Sequence, residues 1–207
     1  MDRRTRDLWE MQDRHPGDRH RLFTAVSQAV EADRVLYPGS FVDIAPSFVW
    51  TDVTYNDLDK RVPGFFADED GVAEIIAAHD TDPGSATLRF LPGDYRELET
   101  KAKSVDLLIS LYAGFISEAC GHAVRDGGWL LVNASHGDAA MASIDDRFEL
   151  AAVVESHSGD YRVRTANLDA YLVPRKPVDL TPAYLHELGR GIRYTRSPFA
   201  YLFQRTG

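Results

Sequence analysis

The stretch "RVLYPGSFVDIAP", residues 34–46, decides how this chain is read. Val35, Leu36 and Tyr37 have the apolar continuity of a buried strand, and Pro38-Gly39-Ser40 breaks it sharply. Nucleotide-binding α/β proteins keep a glycine-rich loop after such a strand, because glycine lets backbone approach a ligand closely. Only one glycine stands here. The segment is therefore either a cofactor loop of unusual composition or one that has been remodelled.

Outward from this point, helical and strand-like patterns alternate. Residues 1–14 and 19–32 read as helices, the second presenting Leu22, Phe23, Val26, Ala29 and Val30 on one face. A short helix near 46–51 leads to a second strand, "VTYND" at 53–57, and another helix starts over 58–66. Residues 70–79 form an amphipathic helix with Val72, Ile75 and Ile76 inward. A third strand, "ATLRFL" at 86–91, closes at Pro92-Gly93 and is followed by a short helix over 95–102. "SVDLLISL" at 104–111 is apolar throughout, which predicts a central strand covered on both faces. A helix over 115–125 ends at Gly127-Gly128 before a fifth strand, "WLLVNA", at 129–134. "RFELAAVVE", "YRVRTA" and "DAYLVPR" follow as strand-like pieces, and the turn Ser158-Gly159-Asp160 predicts an antiparallel edge hairpin. The expected architecture is a doubly wound, mostly parallel α/β sheet with helices on both faces and an antiparallel edge. It is read as one domain, with an N-terminal helical addition at 1–33, a core at 34–174 and a C-terminal arm at 175–207.

Composition bounds the function classes. The 207 residues are 44% hydrophobic and 27% charged, an ordinary globular balance with room for one sizeable core. A net charge of −9 disfavours general binding to nucleic acid or anionic membrane, both of which need a positive footprint. Arginines nevertheless gather near the start, at Arg3, Arg4, Arg6, Arg14, Arg19 and Arg21, and near the end, at Arg190, Arg193, Arg196 and Arg205, where a local anion site is the alternative to a solvated face. The single cysteine, Cys120, excludes an internal disulfide and suits a reducing, cytoplasmic setting. The first twenty residues alternate Arg and Asp, and "VDLLISLYAGFI" is too short to span a bilayer, so neither a secretory leader nor a membrane span is expected.

The order "VLYPGS", "VTYNDLD", "LRFLPGDYREL", "SVDLLISLYAG", "VRDGGWLLVN" resembles the class I S-adenosylmethionine (SAM)-dependent methyltransferases, over roughly residues 19–174. The resemblance implies a Rossmann-like fold, SAM as cofactor, and a terminal antiparallel strand after the fifth. It implies that Tyr37, Gly39 and Ser40 meet the amino acid part of SAM, that Asp57 at the end of the second strand holds the ribose hydroxyls, and that Asp94 and Tyr95 meet the adenine. Ser110 and Tyr112, ending the central strand, would face the reacting centre. Only Gly39 matches the family's first loop residue for residue, and the acid that usually precedes that loop is missing. Asp43 is either its replacement or an Asx turn.

Each assignment has a plainer structural alternative. Asp57 can be a strand-end acid facing water, Asp59 can cap the next helix, and Asp94 can cap the helix after it. His136 in "NASHGD" is the candidate general base, its alternative a solvated loop histidine. Tyr112 either faces a sulfonium through its ring or ends the strand as a core aromatic. Asn133, Ser135 and Asp138 are polar neighbours without individual signal. His79, His122 and His186 sit on predicted helices and, with His15 and His20 in "HPGDRH", give no convincing metal set. A nicotinamide dehydrogenase would want G-x-G-x-x-G ahead of Asp57, and a P-loop would want G-x-x-x-x-G-K-[ST]; neither motif occurs. The Asn/Asp-Pro-Pro-aromatic signature of many nucleic-acid amino methyltransferases is also missing at Ser110 to Ala113. The expected activity is methyl transfer to a small molecule. Open beside it are a non-catalytic binding or interaction subunit and a SAM-using elimination or cyclisation enzyme. The arm containing "RYTRSPFAYLFQ" is read as a packed tail or a homodimer contact.

Overall fold

The computed structural model of the chain describes residues 1–79 and 82–207. Two helices, α1 (Arg3–Gln12) and α2 (Asp18–Ser27), precede the first strand, β1 (Arg34–Pro38). There follow β2 (Asp52–Asp57), α3 (Val62–Phe66), α4 (Glu69–Ala77), β3 (Thr87–Pro92), β4 (Val105–Ser110), α5 (Ile116–Cys120) and β5 (Val124–Val132). The remainder is α6 (Asp138–Ser143), β6 (Phe148–His157), β7 (Asp160–Arg164), α7 (Pro182–Leu188) and β8 (Ala200–Arg205). All eight strands form one sheet in the order β3-β2-β1-β4-β5-β8-β6-β7. The first five run parallel, and β8, β6 and β7 add antiparallel pairs on the far side of β5. The predicted mostly parallel α/β sheet with an antiparallel edge is therefore present.

The apolar run of β4 explains its place. Leu107, Leu108 and Ile109 are fully buried, because alternate side chains enter the two separate core clusters on opposite faces of the sheet. At the amino end of the strand, burial pushes the Asp106 carboxyl up. Hydrogen bonds from the Arg34 amide (2.8 Å), the Arg125 guanidinium (2.5 Å) and neighbouring groups outweigh this and hold it at about 2. Three parallel strands are thereby tied at their amino ends, leaving the carboxyl ends for a ligand.

Several predicted elements take a different form. The helix expected over 95–102 is a single 3₁₀ turn, Tyr95–Glu97, which Asp94 caps at its start and which ends where Leu98 turns to extended backbone. The helix over 115–125 stops at Cys120, and β5 already begins at Val124. Gly127-Gly128 lies inside β5 as a bulge: Val105 opposes Val124 while Leu107 opposes Trp129, and Gly127 takes φ +72°. The short helix at 46–51 is a 3₁₀ turn, Ala45–Phe48. "DAYLVPR" is not a strand; it holds a 3₁₀ turn, Leu168–Ala170, and a lone bridge between Pro174 and Tyr194. In its place β8, from the segment read as a tail, inserts between β5 and β6, with Ala200, Tyr201, Leu202 and Phe203 all buried. The hairpin of β6 and β7 turns at Ser158-Gly159 as expected, both residues with positive φ.

Candidate functional site at the carboxyl ends of the parallel strands

Strand order reverses between β1 and β4, so the loops leaving these two strands diverge and define the crevice where open α/β sheets take ligands. Gly39 opens the β1 loop with φ +65°, and its amide donates to the Asn56 carbonyl of β2 at 2.7 Å. A Cβ at this position would overlap the Ala113 methyl of the β4 loop. The lone glycine thus serves two needs, a left-handed turn and the close approach of the two loops. Ser40 is buried, and its hydroxyl donates to the Phe41 carbonyl at 3.2 Å.

Tyr37 lies inside the core, with its ring near Phe23 and Tyr55 and its hydroxyl donating to Asp43 at 3.2 Å. Asp43 is buried too. Burial raises its carboxyl to about 6, offset in part by Arg19, whose Nε lies 3.5 Å away. Asp43 also accepts from the Ala45 amide two residues on, which is the Asx-turn reading. Arg19, on the first turn of α2, reaches over the rings of Tyr112 (5.3 Å) and Phe199 (5.8 Å). Its Nη1 is buried without a hydrogen-bond partner.

Asp57 ends β2 as predicted. One carboxylate oxygen accepts from the Phe41 amide at 2.7 Å and the other from the Asp59 amide at 2.8 Å. The group is half-buried and each oxygen keeps further lone-pair capacity. Asp59 caps Arg61, and the guanidinium bonded to it holds its carboxyl at about 2. Asp94 does the same with Arg96, again at about 2, so its capping role is realised. Tyr95 is half-buried, and a Cβ on Gly114 of the β4 loop would lie 2.7 Å from its hydroxyl. Asn56 ties β2 to the loop after β3 by donating to the Leu91 (2.8 Å) and Gly93 (3.0 Å) carbonyls, which leaves its Oδ1 buried and unpartnered.

The floor of the crevice is built around a residue to which the sequence lent no signal. Asp138, at the start of α6, is buried and accepts from the Ser110 hydroxyl, the Ser117 hydroxyl (2.5 Å) and the Ser117 amide (3.1 Å). Burial raises it to about 6 against those bonds. It joins β4, α5 and α6, and the Ser110 hydroxyl is directed to it. Asn133 likewise ties the loops after β4 and β5, its Oδ1 accepting from the Tyr112 amide (3.4 Å) and the Ser135 hydroxyl (2.8 Å). Tyr112 itself is half exposed and has φ +64°. His136 is exposed on the β5 loop, its Nδ1 2.9 Å from the Ser135 hydroxyl.

The strand ends and loops that carry Gly39, Ser40, Asp57, Ser110, Tyr112 and His136 lie along one edge of the sheet, with Asp94 and Tyr95 at its β3 side, whereas the Tyr37 side chain is turned into the core. Sequence reasoning missed Arg19, Asn133 and Asp138 as parts of this edge. Their partners lie far away in the chain, and only the arginine-rich start hinted at one of them. His79 stacks on Phe48 at 3.9 Å, His122 bonds Thr100 at 2.9 Å, and His186 bonds Glu118 at 3.1 Å. Among the described residues no three His, Cys, Asp or Glu side chains gather as a metal site. No described helix is long and apolar enough to cross a membrane.

No family model and no curated protein matches the sequence. Solved structures do match the fold. A chain of the Haloferax volcanii complex between the Trm112 methyltransferase activator and a protein described as a methyltransferase aligns at TM-score 0.51 and 15% identity, covering 100% of this chain and 98% of that one. A Thermotoga maritima protein described as a SAM-dependent methyltransferase aligns at 0.50 and 13%, covering 98% of both chains. A Klebsiella pneumoniae protein described as an O-methyltransferase aligns at 0.50 and 11%, covering 79% of this chain and 88% of that one. Other alignments are partial, spanning 54% of the Bacillus subtilis protein YcgJ and 63% of a Methanococcus maripaludis protein. With the sheet order, the antiparallel strand beside β5 and the three structures at TM-score 0.50 or above together, the chain has the class I SAM-dependent methyltransferase fold.

Proposed function

We propose that the chain binds SAM across the carboxyl ends of β1, β2 and β4 and transfers its methyl group to a small molecule. The observation that carries this reading is a pair of unsatisfied buried groups, one on β2 where it reaches β3 and one on α2 beside Asp43 and Tyr112. Asn56 Oδ1 is an acceptor without a donor, and Arg19 Nη1 is a donor without an acceptor. Leaving such groups unpaired costs about 1–3 kcal/mol each, so a ligand that pairs with either is favoured.

The residues present fit the cofactor unevenly. Asp57 has lone pairs for two ribose hydroxyls, and Tyr95 offers a half-buried ring beside it for the adenine. Asp94 takes the adenine amine in exchange for Arg96. Tyr37, Gly39, Ser40 and Ser110 frame the amino acid end mainly through backbone and shape, since their side chains are already committed. The bound sulfonium supplies an electrophilic methyl group. The chain's task is then to aim a nucleophile, exclude water and accept a proton. His136 suits the proton, because the Ser135 hydroxyl engages Nδ1 and directs Nε2 to the acceptor. Tyr112, held over the site by Arg19 and Asn133, orients that acceptor.

A second reading, a non-catalytic binding subunit, has one observation of its own. The space a Cβ of Gly39 would occupy is taken by Ala113, where a working loop would present it to the ligand. Calorimetric titration with SAM and S-adenosylhomocysteine decides between them. Saturable binding that is lost in Asp57→Ala, while the variant stays folded, supports the cofactor reading. Absence of binding in the parent protein rejects it and leaves the binding-subunit reading.

A further inference from the structure

Residues 174–194, between β7 and β8, form a closed excursion. Pro174 bridges Tyr194, and the Arg175 amide and Nε donate to the Arg193 (2.8 Å) and Tyr194 (3.0 Å) carbonyls. Helix α7 forms the far side, capped at one end by Thr181 on the Tyr184 amide at 3.2 Å and closed at the other by Gly189 in the left-handed conformation. Between the two legs and the helix lies a groove of about 540 Å³, within the range of small-molecule sites.

Its lining is unusual for a chain of net charge −9. Arg175 and Lys176 come from the outgoing leg and Arg190 and Arg193 from the returning one, and no carboxylate lines the groove. None of these four side chains makes an ion pair among the described residues, whereas most other arginines do. Val178, Tyr184, Leu188 and Ile192 supply apolar walls. The groove beside β6 and β7 makes the contrast: it carries Arg162 and Arg164, but Glu155 and Asp160 stand with them. The basic groove also abuts the candidate active edge. The Gly191 amide donates to the Ser135 carbonyl at 3.1 Å, and a Cβ at Gly191 would overlap the Ala134 carbonyl.

We propose that this groove is a binding site for a small amphipathic anion, an organic phosphate whose phosphate meets Arg190, Arg193 and Lys176 while its apolar body lies on Leu188, Ile192 and Tyr184. Four cations without counter-ions can neutralise a doubly charged phosphate, and arginine forks match its geometry. A nucleic acid strand fits less well, because tracking a backbone needs an extended positive stripe and this patch is confined to one excursion of an acidic protein. The site stands independently of SAM binding.

The test is a calorimetric titration of the full chain with 1-naphthyl phosphate. Saturable binding is expected, about tenfold or more weaker in Arg190→Gln/Arg193→Gln, unchanged in Arg162→Gln/Arg164→Gln, and undetectable with neutral 1-naphthol. These arginines are exposed and unpaired, so the double variant should fold; should it not, Lys176→Gln must show the same direction of loss. The proposal is overturned if 1-naphthyl phosphate does not saturate, if 1-naphthol binds equally, if the double variant binds unchanged, or if an oligoadenylate strand binds more tightly through the same arginines. A parallel SAM titration separates the two readings, since aryl phosphate binding without SAM binding keeps this site and removes the methyltransferase.

Discussion

The β2–β3 side of the carboxyl edge and the β1–β4 side treat their carboxylates in opposite ways. On the first, Asp59 and Asp94 sit in short loops beside Arg61 and Arg96 and are held at about 2. On the second, Asp43 and Asp138 are enclosed and burial raises both to about 6. Exposed pairs contribute little to stability and exchange partners readily, so the β2–β3 rim can receive a ligand without rearrangement. Enclosed carboxylates are costly to leave unsatisfied. The β1–β4 side is therefore a locked arrangement that a ligand must open, and the two sides divide the edge into a ready half and a closed half.

The most severe test of the closed half is Gly39→Ala. The new methyl meets Ala113 while the backbone holds φ +65°, so overpacking and left-handed strain act together and should cost about 3 kcal/mol in urea unfolding. Adding Ala113→Gly should restore about half of that by removing the overlap. A loss below about 1 kcal/mol would mean the two loops do not meet as described.

Next in size is the pH response of the enclosed pair. The folded protein holds the protons of Asp43 and Asp138 more tightly than the unfolded chain, whose carboxyls have the ordinary value of 3.8. Their contribution is therefore greatest below that value and is lost as pH rises through about 6, on the order of 6 kcal/mol together over the whole window, with about 2–3 kcal/mol of it between pH 5 and pH 7. Urea midpoints should climb between pH 7 and pH 5, and the climb should shrink in Asp138→Asn. A flat profile in the parent protein contradicts the burial of these groups.

Asp57→Ala sharpens the boundary between the halves. It removes the acceptor for the Phe41 and Asp59 amides, with an expected stability loss of about 1–2 kcal/mol, and it should weaken SAM by a further 1.5–3 kcal/mol, roughly tenfold or more. Equal SAM affinity in a folded variant would sink the ribose assignment. Arg96→Gln, on the ready half, should leave the urea midpoint unchanged within error and serves as the reference for the other three.

How far the sequence disclosed this division follows from the range of the interactions. The central parallel strands β1, β4 and β5 were legible because each carries a local apolar run, and Asp57 was legible as a strand end, which marks a position. The helices after β3 and β4 were overestimated: the chain turns extended at Leu98 and β5 starts early at Val124, and neither is a matter of local propensity. Strand β8 was hidden in a segment rich in Arg, Ser and Pro, since its value comes from pairing with Trp129 and Phe148, distant in the chain. Asp138 was hidden for the same reason. Its partners Ser110 and Ser117 lie on elements of their own, and no spacing rule joins them to it.

The insertion of β8 has a kinetic consequence. Before residues 200–205 arrive, β5 and β6 each present an unpaired apolar edge, and the β6–β7 hairpin meets the rest of the molecule through α2, where Asp18 accepts from the Tyr161 hydroxyl, rather than through the sheet. The pairing that unites the two halves of the sheet joins residues far apart in the chain, Trp129 opposite Gln204, a separation close to that of Val35 and Leu107 between β1 and β4, so both carry a loop-closure cost. Folding should proceed through a species with a complete parallel half and a waiting slot one strand wide, and that slot, lined by Leu131 and Val153, is where a second chain could insert its own strand and begin aggregation.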